Sequence, residues 1–507
     1  MKQQLRRALV CLTALALLGG IVPVSASAAG FRDVPAGHWA EDSIRRCTSL
    51  GFFQGQSANY FGMGEEISRA AFAVVLCRFY GWEDMSPVSP TFQDVGADAW
   101  YAGAVEAACA HGAFPRQQPN FRPDDPITRA DLAAILVRAM GYGTLAGLAQ
   151  DLPTHFRDVY ANTGYITMAY NLGLMNGTSA DIFSPSRTVP REEVAVTLMR
   201  LYDRIHAGTP KVTAVVSAPA EGEPLPDLTG LDAAAIPAGR LMGLGGTASI
   251  MSTMPAETAA RLAAAARKAD AKALLHITGG PSALDGPMGE AAALLRDTVE
   301  SGGYDGLFLD MPEVKRERRK DLNQFARILR RELGDIPLYL AVEAPAWNGR
   351  EYGGYDYTEL SALADQLILR VAPYTESGDI FLAPVDPLED VYYALSAMKG
   401  HVELSSLSLM VDTRPAVWNK QGRQQGMDHE ELAALLESRE HFFSQRYGCS
   451  YLIAEDEKGN PLYAWFLDRQ SVQARRQMAQ AFGVHQMCLS DWASAFLAVL
   501  EAPEETE

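Results

Sequence analysis

From residue 30 to residue 205 the apolar positions come in short blocks at three- and four-residue spacing, the pattern of amphipathic helices. Three blocks are most regular: "EISRAAFAVVLCRFYG" (66–81), "PITRADLAAILVRAMG" (126–141) and "TVPREEVAVTLMRLYD" (188–203). Ser68 and Thr128 are placed as helix N-caps, Asp131 completes a capping box with Thr128, and Pro190 suits a first turn. Gly81 and Gly141 end two of the helices. Beyond residue 230 the pattern changes. Continuous apolar runs ("KALLHITGG", "YDGLFLD", "IPLYLAVEAP", "DQLILRVAPY", "LSLMVDTRPAVW", "GVHQMCL") alternate with helical stretches near 286–300, 316–334, 385–399, 428–447 and 468–482. Buried parallel strands read as such runs, and alternation over this length predicts an α/β (β/α)8 TIM-type barrel. A doubly wound sheet is the alternative, without a GxGxxG to support it. "YLIAEDEKGNPLYAW" (451–465) predicts a small inserted hairpin turning at Lys458-Gly459-Asn460.

The first half repeats itself. "FRDVPAGHWA" at 31, "FQDVGADAWY" at 92 and "FRDVYANTGY" at 156 are one motif, with Asp33, Asp94 and Asp158 spaced by 61 and 64 residues. Each copy leads through a short helix and a glycine-bearing loop to one of the regular helices above. Such a unit is too small to bury its own apolar face, so three must pack together. The expected organisation is a leader at 1–29, repeats at 30–88, 89–150 and 151–205, a linker leading into the barrel at 206–230, and the barrel at 231–507. The chain is a multidomain protein.

Phe-x-Asp-Val, a following Trp, and Ile-Thr/Ser-Arg-Ala, in three tandem copies, resemble the S-layer homology repeat. That resemblance implies a pseudo-threefold α-helical module whose grooves bind pyruvylated secondary cell-wall polysaccharide. Arg69, Arg129 and Arg191 match the family's arginine, and Trp39 and Trp100 its tryptophan. A guanidinium can hold a ketal-pyruvate carboxylate by a two-pronged contact, and an aromatic face can stack on a sugar. Repeat two has Phe114-Pro115 where the others read Gln54-Gly55 and Asn176-Gly177, and repeat three has Tyr165 in place of Trp.

Composition narrows the setting. Lys2, Arg6 and Arg7, the apolar run Ala8–Val24 and the small residues 25–29 read as a secretory signal peptide cleaved after Ala28 or Ala29. No other segment is long and apolar enough to span a bilayer, so no membrane span is expected in the mature chain. Removing the leader leaves 41 basic against 62 acidic residues, a net charge of −21, and no basic stripe favours nucleic acid. The five remaining cysteines, Cys47, Cys77, Cys109, Cys449 and Cys488, show no paired spacing and read as apolar-face thiols. No Cys/His cluster has zinc spacing, so neither metal nor cofactor is expected.

In a barrel the functional residues lie at the carboxyl ends of the strands. Asp310, Glu343, Glu376, Asp379 and Asp412 are placed there, with Trp347, Tyr374 and Trp418 able to stack on sugars. Carboxylates in that position suggest glycoside hydrolysis, which needs an acid to protonate the leaving oxygen. "SGGYDGLFLDMPEV" (301–314) resembles the fourth strand of glycoside hydrolase family 18, whose motif is DGxDxDxE. "ALLHITGG" resembles that family's third strand, "FLAPVDPLEDVYYAL" the stretch after the sixth, and "PLYAWFLDRQSVQARRQMAQAFGV" the segment before the last. The nearest branch is the bacterial enzymes acting on spore cortex or cell-wall peptidoglycan. By this resemblance Asp305 and Asp310 match the first and last aspartates, Phe308 replaces the middle one, and Pro312 replaces the catalytic glutamate. The family's Tyr-Asp aligns with Ala372-Pro373, with Tyr374 displaced, and its final tryptophan aligns near Ser490, with Trp492 displaced.

Alternation along the strand puts 308, 310 and 312 on the inward face and Glu313 on the other. The leading expectation is an exported, wall-anchored protein whose barrel binds glycan, peptidoglycan or another N-acetylhexosamine polymer, without hydrolysing it. Two alternatives stay open. One is an active N-acetylhexosaminidase-type glycosidase using Glu313 if Pro312 kinks the strand, or Asp310 with Asp412. The other is a structural S-layer component.

Overall fold

The computed structural model describes residues 31–85, 89–150, 154–208, 210–219, 224–244, 246–345, 353–371, 382, 384–455, 458–493, 496 and 499. They fall into two compact units that divide between His206 and Ala207.

The first unit is all helical: α1 (Glu41–Ser49), α2 (Arg69–Tyr80), α3 (Ala102–Ala110), α4 (Arg129–Ala139), α5 (Gly143–Leu148), α6 (Thr163–Asn171) and α7 (Arg191–Ile205). The caps are those the sequence implies: Ser68 accepts from Ala71 N–H, and Thr128 with Asp131 forms the capping box. Pro190 stands at the N-cap of α7 itself, followed by Glu192 and Glu193 in the first turn. The aspartate shared by the three repeats has a local task in each. Asp33 accepts from the backbone N–H groups of Phe61, Gly62 and Met63, Asp94 from Phe121 and Arg122, and Asp158 from Phe183 and Ser184.

The three repeats close on one another in a cycle. Ile67 N–H donates to Val189 O, Val189 N–H to Ile127 O, and Ile127 N–H to Ile67 O, at 3.3, 3.0 and 3.0 Å. No single repeat can satisfy these backbone groups alone, so the ring couples the three copies around a pseudo-threefold axis.

The second unit is a closed barrel. Its parallel strands are β1 (Lys211–Val216), β2 (Ala233–Leu244), β4 (Lys272–Gly279), β5 (Gly306–Asp310), β6 (Leu338–Glu343), β7 (Gln366–Arg370), β8 (Leu407–Val411) and β14 (Gln486–Trp492). Each pairs with the next, and β14 and β2 both pair with β1, which closes the sheet. β3 (Thr247–Ser252) folds back antiparallel along the outer part of β2. Helices α8 (Ala256–Lys268), α9 (Met288–Gly302), α10 (Arg319–Leu333), α11 (Tyr357–Leu363), α12 (Leu388–Met398) and α14 (Arg469–Phe482) follow successive strands. The first barrel strand thus falls within the stretch read as a linker.

Side chains two apart share a face, so the inward positions stack in layers. One layer is apolar: Ala235, Leu274, Phe308, Ala341, Ile368, Met410 and Cys488 pack together, with Val215 against them. Phe308 is fully buried in it, and truncating such a ring to alanine costs about 3–5 kcal/mol. One step toward the carboxyl ends, the same faces carry His276, Asp310, Glu343, Arg370, Asp412 and Ser490. The barrel therefore has an apolar plug beneath a polar mouth.

The insertion is larger than a hairpin. β12 (Cys449–Glu455) and β13 (Pro461–Phe466) form the expected pair, but β9 (Ala416–Asn419), β10 (Gln424–Gln425) and β11 (Phe442–Ser444) extend it to five antiparallel strands. The helix expected over 428–447 ends early: α13 spans His429–Leu436 and the chain then forms β11. Val417, Leu452, Ala454, Ala464 and Phe466 bury one sheet face against Leu432 of α13, which a single hairpin could not do. Cys47, Cys77, Cys109, Cys449 and Cys488 are buried free thiols.

Candidate functional site

Two places bring candidate residues together. In the helical unit each repeat's arginine is turned inward and held by the next repeat. Arg69 Nε donates to Phe121 O, Arg129 Nε to Phe183 O and Arg191 Nε to Phe61 O, at 2.8, 2.8 and 3.0 Å. Arg129 and Arg191 are only 7% and 8% exposed, so neither is a solvated helix-start charge. Their guanidinium groups lie over Phe183 and Phe61 at 4.6 and 5.0 Å. Burial lowers the proton affinity of all three arginines.

One groove opens around Arg129. Trp39, Asn176, Gly177, Thr178, Arg187 and Glu193 line it with Arg129, enclosing about 230 Å³. Arg129 Nη2 donates to Asn176 O there. Gly177 is required, because a Cβ would collide with Ser179 O and stand 2.6 Å from Ile182 O. The threefold relation turns this groove into a second one, built on Trp100, Arg191, Gln54 and Gly55. Arg191 Nη2 donates to Gln54 O at 2.8 Å, and a Cβ on Gly55 would meet Ser57 O at 2.6 Å. The third is degraded. Phe114 packs on Arg69 as Phe53 does on Arg191, so Pro115 and Arg116 occupy the loop positions that hold Gln54 and Gly55 in repeat one. Trp39 and Trp100 are exposed two residues before α1 and α3, but repeat three has Ala161 in that place. Tyr165, expected to replace the tryptophan, lies inside α6 with Arg138 over its ring.

The barrel mouth holds the second cluster. Asp310, at the end of β5, is buried and ion-paired to Arg370 at the end of β7. His276 of β4 lies 3.9 Å away, beyond hydrogen-bond reach. Burial alone would raise the Asp310 carboxyl, but the His276 ring and the Arg370 guanidinium outweigh it and hold it below its ordinary range. Asp310 Oδ1 and both ring nitrogens of His276 are buried without a hydrogen-bond partner among the described residues. Glu343, on β6 between them, behaves oppositely: burial pushes its carboxyl up, against the pull of Arg370.

The far side of the mouth is already satisfied. Asp412, just past β8, accepts from Arg414 Nε at 2.9 Å, Arg414 Nη2 at 2.7 Å and Ser490 Oγ at 2.8 Å. Its backbone N–H donates to Asp386 at 2.6 Å, and burial with the Asp412 charge raises the Asp386 carboxyl to about 7. His429 of α13 donates from one ring nitrogen to Thr413 O and lies 3.3 Å from Asp491 with the other. Among the described residues no group of three or more His, Cys, Asp or Glu side chains is placed to hold a metal ion.

Several expected site residues fall elsewhere. Asp305 precedes β5, at its amino end; its carboxylate accepts from Ala273 N–H and pairs with Arg267, so it closes the opposite face of the barrel. β5 ends at Asp310, so Pro312 lies beyond the strand and its alternation. Pro312 and Glu313 form a turn instead, with Glu313 exposed at φ 59°. Tyr355 fixes that turn by donating to Met311 O at 2.8 Å and accepting from Val314 N–H at 3.2 Å. Trp418 lies on β9 of the insertion rather than at a barrel strand end. Trp347, Tyr374, Glu376 and Asp379 lie outside the described residues. His276, Arg370 and Tyr355 were not expected. The first two could have been found by counting two residues on from Leu274 and Ile368 along their strands; no local signal marks Tyr355.

The S-layer homology domain family matches residues 30–73, 91–133 and 155–195. An S-layer protein of Bacillus licheniformis is 33% identical over 221 residues, covering 42% of this chain and 24% of that protein. S-layer protein EA1 of Bacillus anthracis is 33% identical over 192 residues, covering 36% and 21%. The chain thus spans about a quarter or less of the length of these relatives. Among solved structures, the Bacillus cereus spore cortex-lytic enzyme SleL superposes with a TM-score of 0.47 at 16% identity, covering 59% of this chain and 76% of that one. The helical unit consists of three S-layer homology domains, and the chain is a bacterial cell-surface protein. No helix among the described residues is long and apolar enough to cross a membrane.

Proposed function

We propose that this protein is held non-covalently to the cell wall by its helical unit, and that its barrel binds glycan without hydrolysing it. The S-layer homology grooves would take an acidic, pyruvylated wall polysaccharide through Arg129 and Arg191, with Trp39 and Trp100 stacking on sugar rings. The barrel would take peptidoglycan or another N-acetylhexosamine glycan at its polar mouth. One observation carries the non-hydrolytic reading. The only inward carboxylate of β5, Asp310, is neutralised by Arg370, and the chain leaves the strand before residue 312, a proline in any case. General acid catalysis needs a proton donor within reach of the leaving oxygen, and β5 provides none.

The test is release of reducing sugar from purified cell walls, with co-sedimentation measured in parallel. The expected result is pelleting with no release above the heat-treated control. Pro312→Glu should restore nothing, because that position lies beyond β5, in a turn fixed by Tyr355 rather than in the strand. Clear turnover by the wild type would sink the reading.

A second reading has one specific observation behind it. The Tyr355 hydroxyl gives its single proton to Met311 O, so its 3.5 Å contact with Glu343 Oε2 is satisfied best when Glu343 carries the proton. A Glu343 carboxyl raised by burial beside an Asp310 carboxyl lowered by its cationic neighbours is an arrangement that can divide acid and base roles. If the walls are degraded, Glu343→Gln should reduce the rate by about 100-fold or more, the range expected for losing a general acid. Glu313→Gln should leave it unchanged.

A further inference from the structure

We infer that the three arginine grooves are unequal, and that the one on Arg191 is the principal seat for a carboxylate-bearing sugar. This rests on the wall-anchoring reading above and narrows it to one groove.

The difference lies two residues after each arginine. Those positions read Ala71, Asp131 and Glu193. Around the cycle, each such acid faces the arginine of the preceding repeat. Arg129 Nη1 lies 3.4 Å from Glu193, and Arg69 Nη1 lies 3.9 Å from Asp131. In both, the outward-facing nitrogen already has a carboxylate counter-charge. Arg187 also grips Glu193 at 2.7 Å, which fixes that acid in place. For Arg191 the corresponding position is Ala71, which has no charge to offer. Among the described residues no carboxylate stands within salt-bridge distance of Arg191; Glu65, Asp33 and Glu192 act on it only from farther away.

The rest of the Arg191 guanidinium is committed. Nε donates to Phe61 O and Nη2 to Gln54 O. Those bonds orient it and leave Nη1 without a hydrogen-bond partner among the described residues. A guanidinium that is 8% exposed and lacks a close ion partner has lost much of its hydration without full compensation. An incoming carboxylate would supply the missing charge and need displace no resident acid. In the Arg129 groove the same ligand must compete with Glu193. In the Arg69 groove it must compete with Asp131 and does without both the glycine loop and the tryptophan. The Arg191 groove keeps Gly55 and, by the threefold relation, Trp100.

The experiment uses the full secreted chain and isolated bacterial sacculi that retain their wall polysaccharide, with bound fraction measured against protein concentration. Arg191→Ala should weaken binding at least tenfold and Arg129→Ala less than threefold. Ala71→Glu is the discriminating variant. It touches a half-buried first-turn position where acids already occur in the other two repeats, so the fold accepts it, and circular dichroism checks that. It should install the missing counter-charge and weaken binding about as much as Arg191→Ala. A larger loss in Arg129→Ala than in Arg191→Ala, or full binding by Ala71→Glu, would overturn the inference while leaving arginine-based anchoring intact. Undiminished binding by Arg129→Ala combined with Arg191→Ala would overturn both.

Discussion

Arg370→Ala should destabilise the barrel by about 3 kcal/mol, and adding Asp310→Asn should recover most of that loss. Asp310 and Arg370 occupy the ends of β5 and β7, with β6 between them, so their side chains meet across the mouth. The Asp310 side chain is 8% exposed and that of Arg370 25%. Breaking a buried pair by removing one member is costly chiefly because the other is left as an uncompensated charge. Asp310 would keep only the His276 ring, 3.9 Å away and beyond hydrogen-bond reach. Without the guanidinium the buried Asp310 carboxyl holds a proton more readily, so the single variant should gain more stability between pH 8 and pH 5 than the wild type or the double variant gains. Denaturant midpoints of the four proteins in this cycle, at pH 5 and pH 8, measure the coupling. Equal midpoints for the wild type and Arg370→Ala would mean that the ion pair contributes nothing. The glycan-binding reading would then lose its main polar scaffold.

That pair also marks how far the chain could be read in advance. Apolar runs alternating with amphipathic helices specify strands and helices, and the parallel, both-faces-buried character of the strands follows from their composition. The S-layer homology domains were legible because three copies of one motif repeat the same arginine at a helix start and the same aspartate, which supports the loop beside each arginine. Side-chain alternation correctly puts Phe308 and Asp310 inward, since both lie on β5. It fails at Pro312 because alternation holds only while the strand lasts, and β5 ends two residues earlier. What ends it is distant in sequence: Tyr355 bonds Met311 O and Val314 N–H from the far side of β6. Asp305 was misplaced for a related reason, as a motif does not say which of its residues lies at which end of a strand. Arg370 and His276 were hidden because a charged residue ending an apolar run looks like a solvated strand end. Only barrel closure shows that such ends converge. The size of the insertion was hidden as well, because β9, β10 and β11 are two to four residues long and carry almost no periodic signal.

Asp390→Asn should stabilise the barrel by about 4 kcal/mol at pH 8 and by less than half of that at pH 5. Asp390 lies in the first turn of α12, a position that ordinarily favours an ionised carboxylate. Here burial wins. The side chain is 8% exposed, its Oδ2 has no hydrogen-bond partner among the described residues, and Glu389 and Asp386 add like charge nearby. Burial first, then those neighbours, raise its carboxyl from the ordinary 3.8 to about 7. A raised acid sets the sign. Between those two values the folded chain keeps the proton while the unfolded chain has already released it, so stability falls as pH rises through this window. Above it both states are ionised and the loss is complete, having grown by about 1.4 kcal/mol for each pH unit crossed. Asparagine has the same shape and no charge to bury, so its stability should not follow this slope. Asp386, raised to about 7 beside Asp412, adds a parallel slope that the Asn variant keeps. The comparison must therefore be between variant and wild type at each pH, not between pH values for one protein. Urea midpoints of the two proteins at pH 5, 6, 7 and 8 provide it. The expected gap widens from about 1.5 kcal/mol at pH 5 to its full size by pH 8. A gap that is the same at every pH would show that Asp390 is ionised in the folded barrel throughout, and that its buried oxygen has a partner after all.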